Sequence, residues 1–325
     1  MKLLHDGNCM RLLAALCLTF AAIPLAAAND ESGAAWLKKM AQAAHKQNYS
    51  GTFVHQRGNQ IDSLRVLHTA DHEGEMLQLE AQDGTPRRLL RHNGEAYCIL
   101  PGNPPVAQSA QASRRIFPAL LPDDTDALLS NYRIRLDGTD RVAGQPCQIV
   151  LLEPRDQYRY GYSFCAAIPG GLMLKASLLE DSDENSDQFA FSELSLDPPS
   201  ETTRRALKSE WQGHDRMQIM PAPVLPQETH WQINHVPDGF RLVSAVQRMM
   251  PGRPQPVSHL VYSDSLATVS VFIELPRKNV SATERPIRTG VTGAYIQTRF
   301  QHQITAMGEV PSATLMQFVN NVAPR

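Results

Sequence analysis

Between residues 51 and 100 the chain is cut into short runs, "GTFVHQRG", "IDSLRVLHTA", "MLQLEAQ", "RRLLRHNG" and "AYCILPG", separated by the turn clusters "RGNQ", "DHEGE", "QDGTP" and "HNGE". The runs often alternate apolar with polar residues, the period of a half-buried strand, and the regular spacing of the turns marks an antiparallel meander. Turns this tight leave no room for the crossover that parallel strands need. The pattern therefore predicts an antiparallel sheet that opens with five strands in sequence. One face of such a sheet is apolar and must be covered. Two helical segments are candidates. "AAWLKKMAQAAHKQ" sets Trp36, Leu37, Met40, Ala41 and Ala44 at helical spacing. "RRIFPALLPDDTDALLSNY", with prolines at 118 and 122 and an acidic stretch at Asp123, Asp124 and Asp126, reads as one or two short helices.

Strands resume at "YRIRLDG", "QPCQIVLLE", "YGYSFCAA", "LMLKASLLE" and "DQFAFSELSL". The stretch "MQIMPAPVLPQET" carries three prolines and no charge before Glu228, which makes it a stiff extended linker. Beyond it, "FRLVSAVQRM", "VSHLVYS", "ATVSVFIEL", "AYIQTRF" and "HQITAMGE" read as strands. "SATLMQFVNNV" reads as a closing helix with Ser312 as its N-cap. The fold class is α+β: a large antiparallel unit over residues 29–200, a linker over 201–229 and a smaller α+β unit over 230–325.

The first 28 residues read as an export leader: Lys2 and Arg11 give a positive start, Leu12 to Leu25 form an apolar run, and Ala26 to Ala28 supply small residues for cleavage after Ala28. A 14-residue run is too short to span a bilayer, which takes about 20 apolar residues. The bulky Leu16 before Cys17 argues against lipid attachment. The rest of the chain is expected to be exported and soluble, and its two parts differ in charge. Residues 29–200 hold 16 Lys+Arg against 23 Asp+Glu, a net of −7, and residues 201–325 hold 13 against 9, a net of +4. The basic excess is too dilute for a nucleic-acid footprint and suggests only that the parts face different partners. Three cysteines follow the leader, Cys98, Cys147 and Cys165. An odd count in an oxidising compartment permits one bridge, and a hairpin turning at Asp156 would set Cys147 and Cys165 roughly opposite each other, in a register the sequence does not fix.

No catalytic signature is present: there is no GxSxG elbow, phosphate-cradling glycine loop, HExxH or paired CxxC. "HTADHE", with His68, His72 and Glu73, has metal-like spacing for a helix but falls in a hairpin turn, where i and i+4 do not share a face. "SDSL" has a serine beside an aspartate but no placed histidine and reads as another turn. The cluster "PRDQYRYGY", Pro154 to Tyr162, puts Arg155, Asp156 and Arg159 at a bend and sets Tyr158, Tyr160 and Tyr162 on one face by their period of two. It reads either as an amphipathic stripe beside a charged turn or as a recognition edge, since Tyr and Arg are enriched at binding hot spots. Neither reading is catalytic, and no enzyme, metal or cofactor is expected.

The segments "YSGTFVHQRG", "RVAGQPCQIVLLEPRDQYRYGY", "GLMLKASLL", "DQFAFSEL", "VPDGF" and "YSDSLATVSVFIE", in this order, resemble the RseB/MucB family of periplasmic negative regulators of the envelope-stress sigma factor. The resemblance runs nearly end to end. It implies a large domain that is an open half-barrel wrapped over helices, similar to the lipoprotein carriers LolA and LolB, and a small domain across a linker. It also implies binding to the periplasmic region of a membrane anti-sigma factor of the RseA/MucA type, protection of that region from site-1 proteolysis, and release on sensing lipopolysaccharide or mislocalised lipoprotein. Partner contacts would fall on Arg155, Tyr158, Arg159 and Tyr160. An amphiphile would lie against Phe53, Val66, Leu77, Leu79, Leu89, Ile116, Phe117, Leu120 and Leu121, which would otherwise be a filled core. A homo-oligomer is possible. Two departures stand out: Ser265 occupies a hairpin position where glycine is usual, and the pair Cys147 and Cys165 is particular to this chain. The rival function is a periplasmic carrier of lipid or lipoprotein, and the second domain, which a carrier does not need, speaks for the regulator.

Overall fold

A computed structural model describes residues 25–103, 105–108, 115–180, 187–215, 227–250, 252–276 and 286–325. Helix α1 (Leu25–Lys46) leads into a six-strand meander, β1 (Tyr49–Arg57), β2 (Gln60–Asp71), β3 (Gly74–Ala81), β4 (Arg88–His92), β5 (Glu95–Ile99) and β6 (Val106–Gln108). The sixth strand, short and next to a Pro/Gly-rich stretch, carries too weak a pattern to be expected from sequence. After the one-turn helix α2 (Asp126–Leu129) come β7 (Tyr132–Val142), β8 (Gln145–Pro154), β9 (Gly161–Ala167), β10 (Met173–Leu179) and β11 (Asp187–Ser195). The eleven strands form one unclosed antiparallel sheet in the order β6-β5-β4-β3-β2-β1-β11-β10-β9-β8-β7. This is the expected half-barrel. Every neighbour except the β1–β11 pair is a sequential hairpin, so the chain must cross from one edge at β6 to the other at β7.

That crossing explains how the apolar face is covered. Helix α1 presents Leu37, Met40, Ala41 and Ala44, all buried, as its spacing predicts. It lies close against β7: a Cβ on Gly33 would sit 2.6 Å from the Ile134 side chain, so only glycine fits there. The second cover is a loop where helix was expected. Residues 115–122 form an irregular segment, because prolines at 118 and 122 remove backbone donors, and helix is confined to α2. Phe117 and Leu121 of this loop are buried in the core with Phe53, Leu77 and Phe164, and Ala119 between them is buried too.

The expected 201–229 linker is partly structured. Glu201–Asp215 is helix α3, begun by Ser200, whose Oγ accepts from Thr203 N at 3.1 Å. Leu207 and Trp211, four residues apart and so on one helix face, bury themselves on Met76, Leu90 and Tyr97 of the meander. Lys208 pairs with Glu73, and Arg88 with Glu210 at 2.7 Å. Helix α3 is therefore an integral part of the first unit. The proline-rich core of the linker, and nearly all of the leader, lie outside the described residues.

The second unit begins with the short strands β12 (Gln227–Glu228) and β13 (Trp231–Ile233), followed by β14 (Arg241–Arg248), β15 (Val257–Ser263) and β16 (Thr268–Glu274). It continues through β17 (Ile287–Thr289), β18 (Thr292–Arg299), β19 (His302–Gly308), helix α4 (Ser312–Asn320) and β20 (Val322–Pro324). Seven strands form an antiparallel sheet in the order β12-β14-β15-β16-β19-β18-β17, and β13 pairs with β20. Leu315, Phe318 and Val319 of α4 pack on Val269, Val271 and Ile304. Ser312 is the first residue of α4, not its cap; Pro311 holds the cap position, where its missing N–H leaves no donor unsatisfied. No helix among the described residues is long and apolar enough to cross a membrane.

Candidate functional site at the junction of the two units

The cluster Pro154 to Tyr162 lies in the connection from β8 to β9, against the second unit. Arg159 is the centre. Its side chain is 0 % exposed. Nε and Nη2 donate to the two carboxylate oxygens of Asp156 at 3.1 and 2.8 Å, Nη1 donates to Asp264 Oδ2 at 2.9 Å, and Nη2 also reaches the carbonyl of Asp238. The guanidinium lies over the rings of Tyr132 and Phe240, at 5.8 and 5.3 Å. Burial opposes its charge, yet the bonds to Asp156 and the Asp264 carboxylate hold its pKa above the ordinary value. One cation from the first unit thus meets a carboxylate, a carbonyl and a ring from the second.

Asp264 is built for this contact. Its Oδ1 accepts from Leu266 N and Ala267 N at 2.9 and 2.8 Å, which shapes the "SDSL" turn and leaves Oδ2 to accept from Arg159 and from the Tyr132 hydroxyl at 3.2 Å. Burial, then the neighbouring Tyr162 and Asp264, push the Tyr132 phenol up, so it remains a donor. The turn keeps a left-handed residue: Ser265 stands at φ 85°, a conformation natural to glycine and strained for serine. In "VPDGF", Gly239 at φ 84° passes Asn131 so closely that a Cβ would lie 2.3 Å from its Oδ1. Three further contacts cross the junction: Thr314 Oγ1 donates to the Tyr158 carbonyl at 2.7 Å, Arg288 pairs with Glu180, and Arg288 lies 5.8 Å over the Tyr160 ring.

Of the expected partner edge, Arg159 and Tyr160 are buried at the junction of the two units. The bend is too tight to keep period-two alternation, so Tyr158 is only half-buried and Arg155 is exposed, its Nε donating to the carbonyls of Leu129 and Tyr132 at 3.3 Å each. Arg155 and Tyr158 are the two of the four that remain at the surface. Asp264, Tyr132 and Phe240 were invisible as site residues, because nothing local marks a turn aspartate as the partner of an arginine 105 positions away.

Inside the half-barrel, Phe53, Val66, Leu77, Phe117 and Leu121 are buried and belong to one packed core, while Leu79, Leu89 and Leu120 are partly buried against it. Ile116 is half-buried. Phe117 makes an edge contact with Phe53 at 5.0 Å and stacks on Phe189 at 5.5 Å, so a residue of the crossing loop fills the inner space. A pocket of about 330 Å³ remains beside it, lined by Leu120, Tyr162, Phe164 and Phe189 from the first unit and by Leu266, Thr268 and Glu309 from the second. The second unit therefore supplies part of the wall of this pocket.

Cys147 and Cys165 are joined by a disulfide across β8 and β9, and Cys98 is a half-buried thiol. In the register Cys147 faces Ala167 and Cys165 faces Ile149, so the bridge is diagonal. Among the described residues no cluster of His, Cys, Asp or Glu could hold a metal ion. His68 is in the core and His72 is in an exposed turn.

Comparison with known proteins gives concordant results. The MucB/RseB N-terminal domain matches residues 32–211, which run into α3, and the MucB/RseB C-terminal domain matches residues 226–323. The sigma factor AlgU regulatory protein MucB of Pseudomonas aeruginosa is 30 % identical over 311 residues, covering 93 % of this chain and 94 % of that protein. The sigma-E factor regulatory protein RseB of Escherichia coli K12 is 25 % identical over 299 residues, covering 91 % and 92 %. Among solved structures, the Pseudomonas aeruginosa MucA/MucB complex matches with a TM-score of 0.71 and 27 % identity, over 90 % of this chain and 99 % of that one.

Proposed function

The chain belongs to the MucB/RseB family, and on that premise we propose that it is a periplasmic regulator that holds the periplasmic region of a membrane anti-sigma factor of the RseA/MucA type. Holding that region shields it from site-1 proteolysis and keeps the sigma factor sequestered. The observation that carries this reading is the match of both units together, over 90 % of the chain, to a MucB solved with MucA. A lipid carrier needs only the half-barrel; here Arg159 commits that half-barrel to a second unit. The reading assigns Arg155 and Tyr158, beside the junction, to the partner surface.

Release follows from linkage. An acyl chain of lipopolysaccharide or of a mislocalised lipoprotein needs apolar space, and burying it would contribute about 25 cal/mol per Å². Within the half-barrel that space is held by Phe117, so the amphiphile must displace the crossing loop. If the anti-sigma segment favours the loop-in arrangement, each ligand weakens the other by the same factor. The test is a titration of the full chain, lacking the leader, against a labelled periplasmic fragment of its own anti-sigma factor, with and without lipopolysaccharide. Saturable binding that weakens with lipopolysaccharide is expected. Absence of binding in both conditions overturns the proposal, and binding indifferent to lipopolysaccharide removes the sensing half.

A further inference from the structure

Phe117 fills the half-barrel, but the pocket of about 330 Å³ at the junction is open with Phe117 in place. Most of its wall is apolar: Leu120, Phe164 and Phe189 from the first unit, Leu266 from the second, and the ring of Tyr162, whose phenol burial pushes up and so keeps neutral. It stands at the small end of the roughly 300–1,000 Å³ of small-molecule sites, with room for one alkyl chain and not for the several of a whole lipid.

Three charged side chains stand at this pocket, Arg115, Asp187 and Glu309, and they differ in what answers their charge. Asp187, buried on β11, has Oδ1 2.9 Å from His55 Nε2 and Oδ2 4.0 Å from Arg57 Nε, so it is satisfied within the first unit. Glu309 makes no ion pair among the described residues; burial and then the Asp187 carboxylate push its pKa up, toward the neutral acid. Arg115, on the crossing loop, makes no ion pair among the described residues either. Burial lowers its pKa, and a guanidinium has no neutral form within reach. The carboxylate that supports its charge is Asp264, which already accepts from Leu266 N, Ala267 N, Arg159 and the Tyr132 hydroxyl. Of the three, then, the acid that lacks a partner can become neutral, and the cation that lacks one cannot.

Arg115 also borders a wider cleft of about 930 Å³ beside α1 and β3, so it stands where an apolar pocket meets open polar space. That is the place for the head of a ligand whose tail lies inside. We propose that the junction pocket takes the tail of a single-chain anionic amphiphile and that Arg115 holds its head, a carboxylate or a phosphate. The planar fork of a guanidinium matches both of these heads with paired bonds. The inference rests on the reading that the chain responds to an amphiphile, and it names the class: one tail and a negative head. Because Leu266, Thr268 and Glu309 belong to the second unit, such a ligand touches both units at once.

The experiment is calorimetric titration of the full chain, lacking the leader, with decanoate, decyl phosphate and decyltrimethylammonium, on the natural chain, Arg115→Gln and Thr268→Trp. Both anions should bind, one per chain, and the tighter of the two identifies the head. The cation, with the same tail, should bind at least about tenfold more weakly. Arg115→Gln should weaken the anions by at least about tenfold, the effect of losing one charge-assisted bond. Thr268→Trp, at an exposed position of the wall, should abolish binding by filling the pocket. No binding of either anion, equal affinity for the two signs of head, or an Arg115→Gln chain that holds decanoate as the natural chain does overturns the proposal. So does displacement of decanoate by inorganic phosphate at matched concentration, the mark of a plain anion site. No anti-sigma fragment enters this titration, so lipopolysaccharide that weakens the partner while decanoate and decyl phosphate fail to bind strikes this inference and leaves the regulatory reading standing.

Discussion

The two units solve one problem differently. Each has an antiparallel sheet with an apolar face to cover. In the second, the nine-residue helix α4 suffices, with Leu315, Phe318 and Val319 seated on β16 and β19. In the first, eleven strands make a face wider than α1 can cover, and the remainder falls to the crossing loop with Phe117. A helix satisfies its own backbone and so makes a fixed cover. The described part of the crossing loop lies outside the sheet ladder and is held chiefly by side chains, which makes it a replaceable one.

Truncating each cover tests the contrast. Phe318→Ala, between Phe240 and Tyr262, should cost about 5 kcal/mol because α4 cannot collapse into the hole. Phe117→Ala should cost about 3 kcal/mol, because its loop can follow. Denaturant unfolding measures both, and equal losses would refute a replaceable cover. Phe117→Ala should in addition increase uptake of a fluorescent fatty acid, whereas Phe318→Ala should not.

Between these in size stands the junction. Arg159→Ala leaves Asp264 buried without its cation and should cost about 3–5 kcal/mol. Two separate melting transitions in place of one, with faster proteolysis between residues 215 and 230, are the expected signs. A single unchanged transition would show that the units dock by apolar contact alone.

Acid should act on the second unit through one histidine. His259 stacks on Phe272, and burial, aided by the like charge of Arg248, lowers its pKa from 6.5 to about 4. A depressed imidazole contributes stability that is complete above its unfolded value and is lost as pH falls through 6.5 toward about 4. The second unit should therefore weaken in acid. His259→Gln should flatten the response of the second unit, as tryptophan fluorescence of Trp231 would show. Smallest is Ser265→Gly, which relieves the left-handed strain and should add about 0.5 kcal/mol, visible as a higher urea midpoint with unchanged slope.

The elements were legible wherever their signals are local. Turn clusters and period-two runs placed the long strands of both sheets, and the spacing of Leu37, Met40 and Ala44 placed the buried face of α1. Three features depart from these patterns. Helix α3 carries its own signals, Ser200 at the start and Leu207 with Trp211 one turn apart, but it was absorbed into the linker because nothing in the sequence shows the outer sheet face that it covers. The 115–122 segment has helical apolar spacing, and its prolines decided otherwise. Tyr158, Arg159 and Tyr160 fall in a bend, where the period-two alternation of the flanking strands does not hold.

By itself, then, the sequence determined an antiparallel meander, its hairpins, a second α+β unit and the absence of any recognisable catalytic motif, since alternation, turn chemistry and motif spacing act over a few residues. The tertiary structure alone decided that Arg159 is a buried clasp and that Phe117 plugs the half-barrel. Each depends on groups that only folding brings together: Asp264 lies 105 positions from Arg159, and Phe117 stacks on Phe189 of β11. Burial then turns charge and hydrogen-bond capacity, which water would have screened or satisfied, into constraints on the fold.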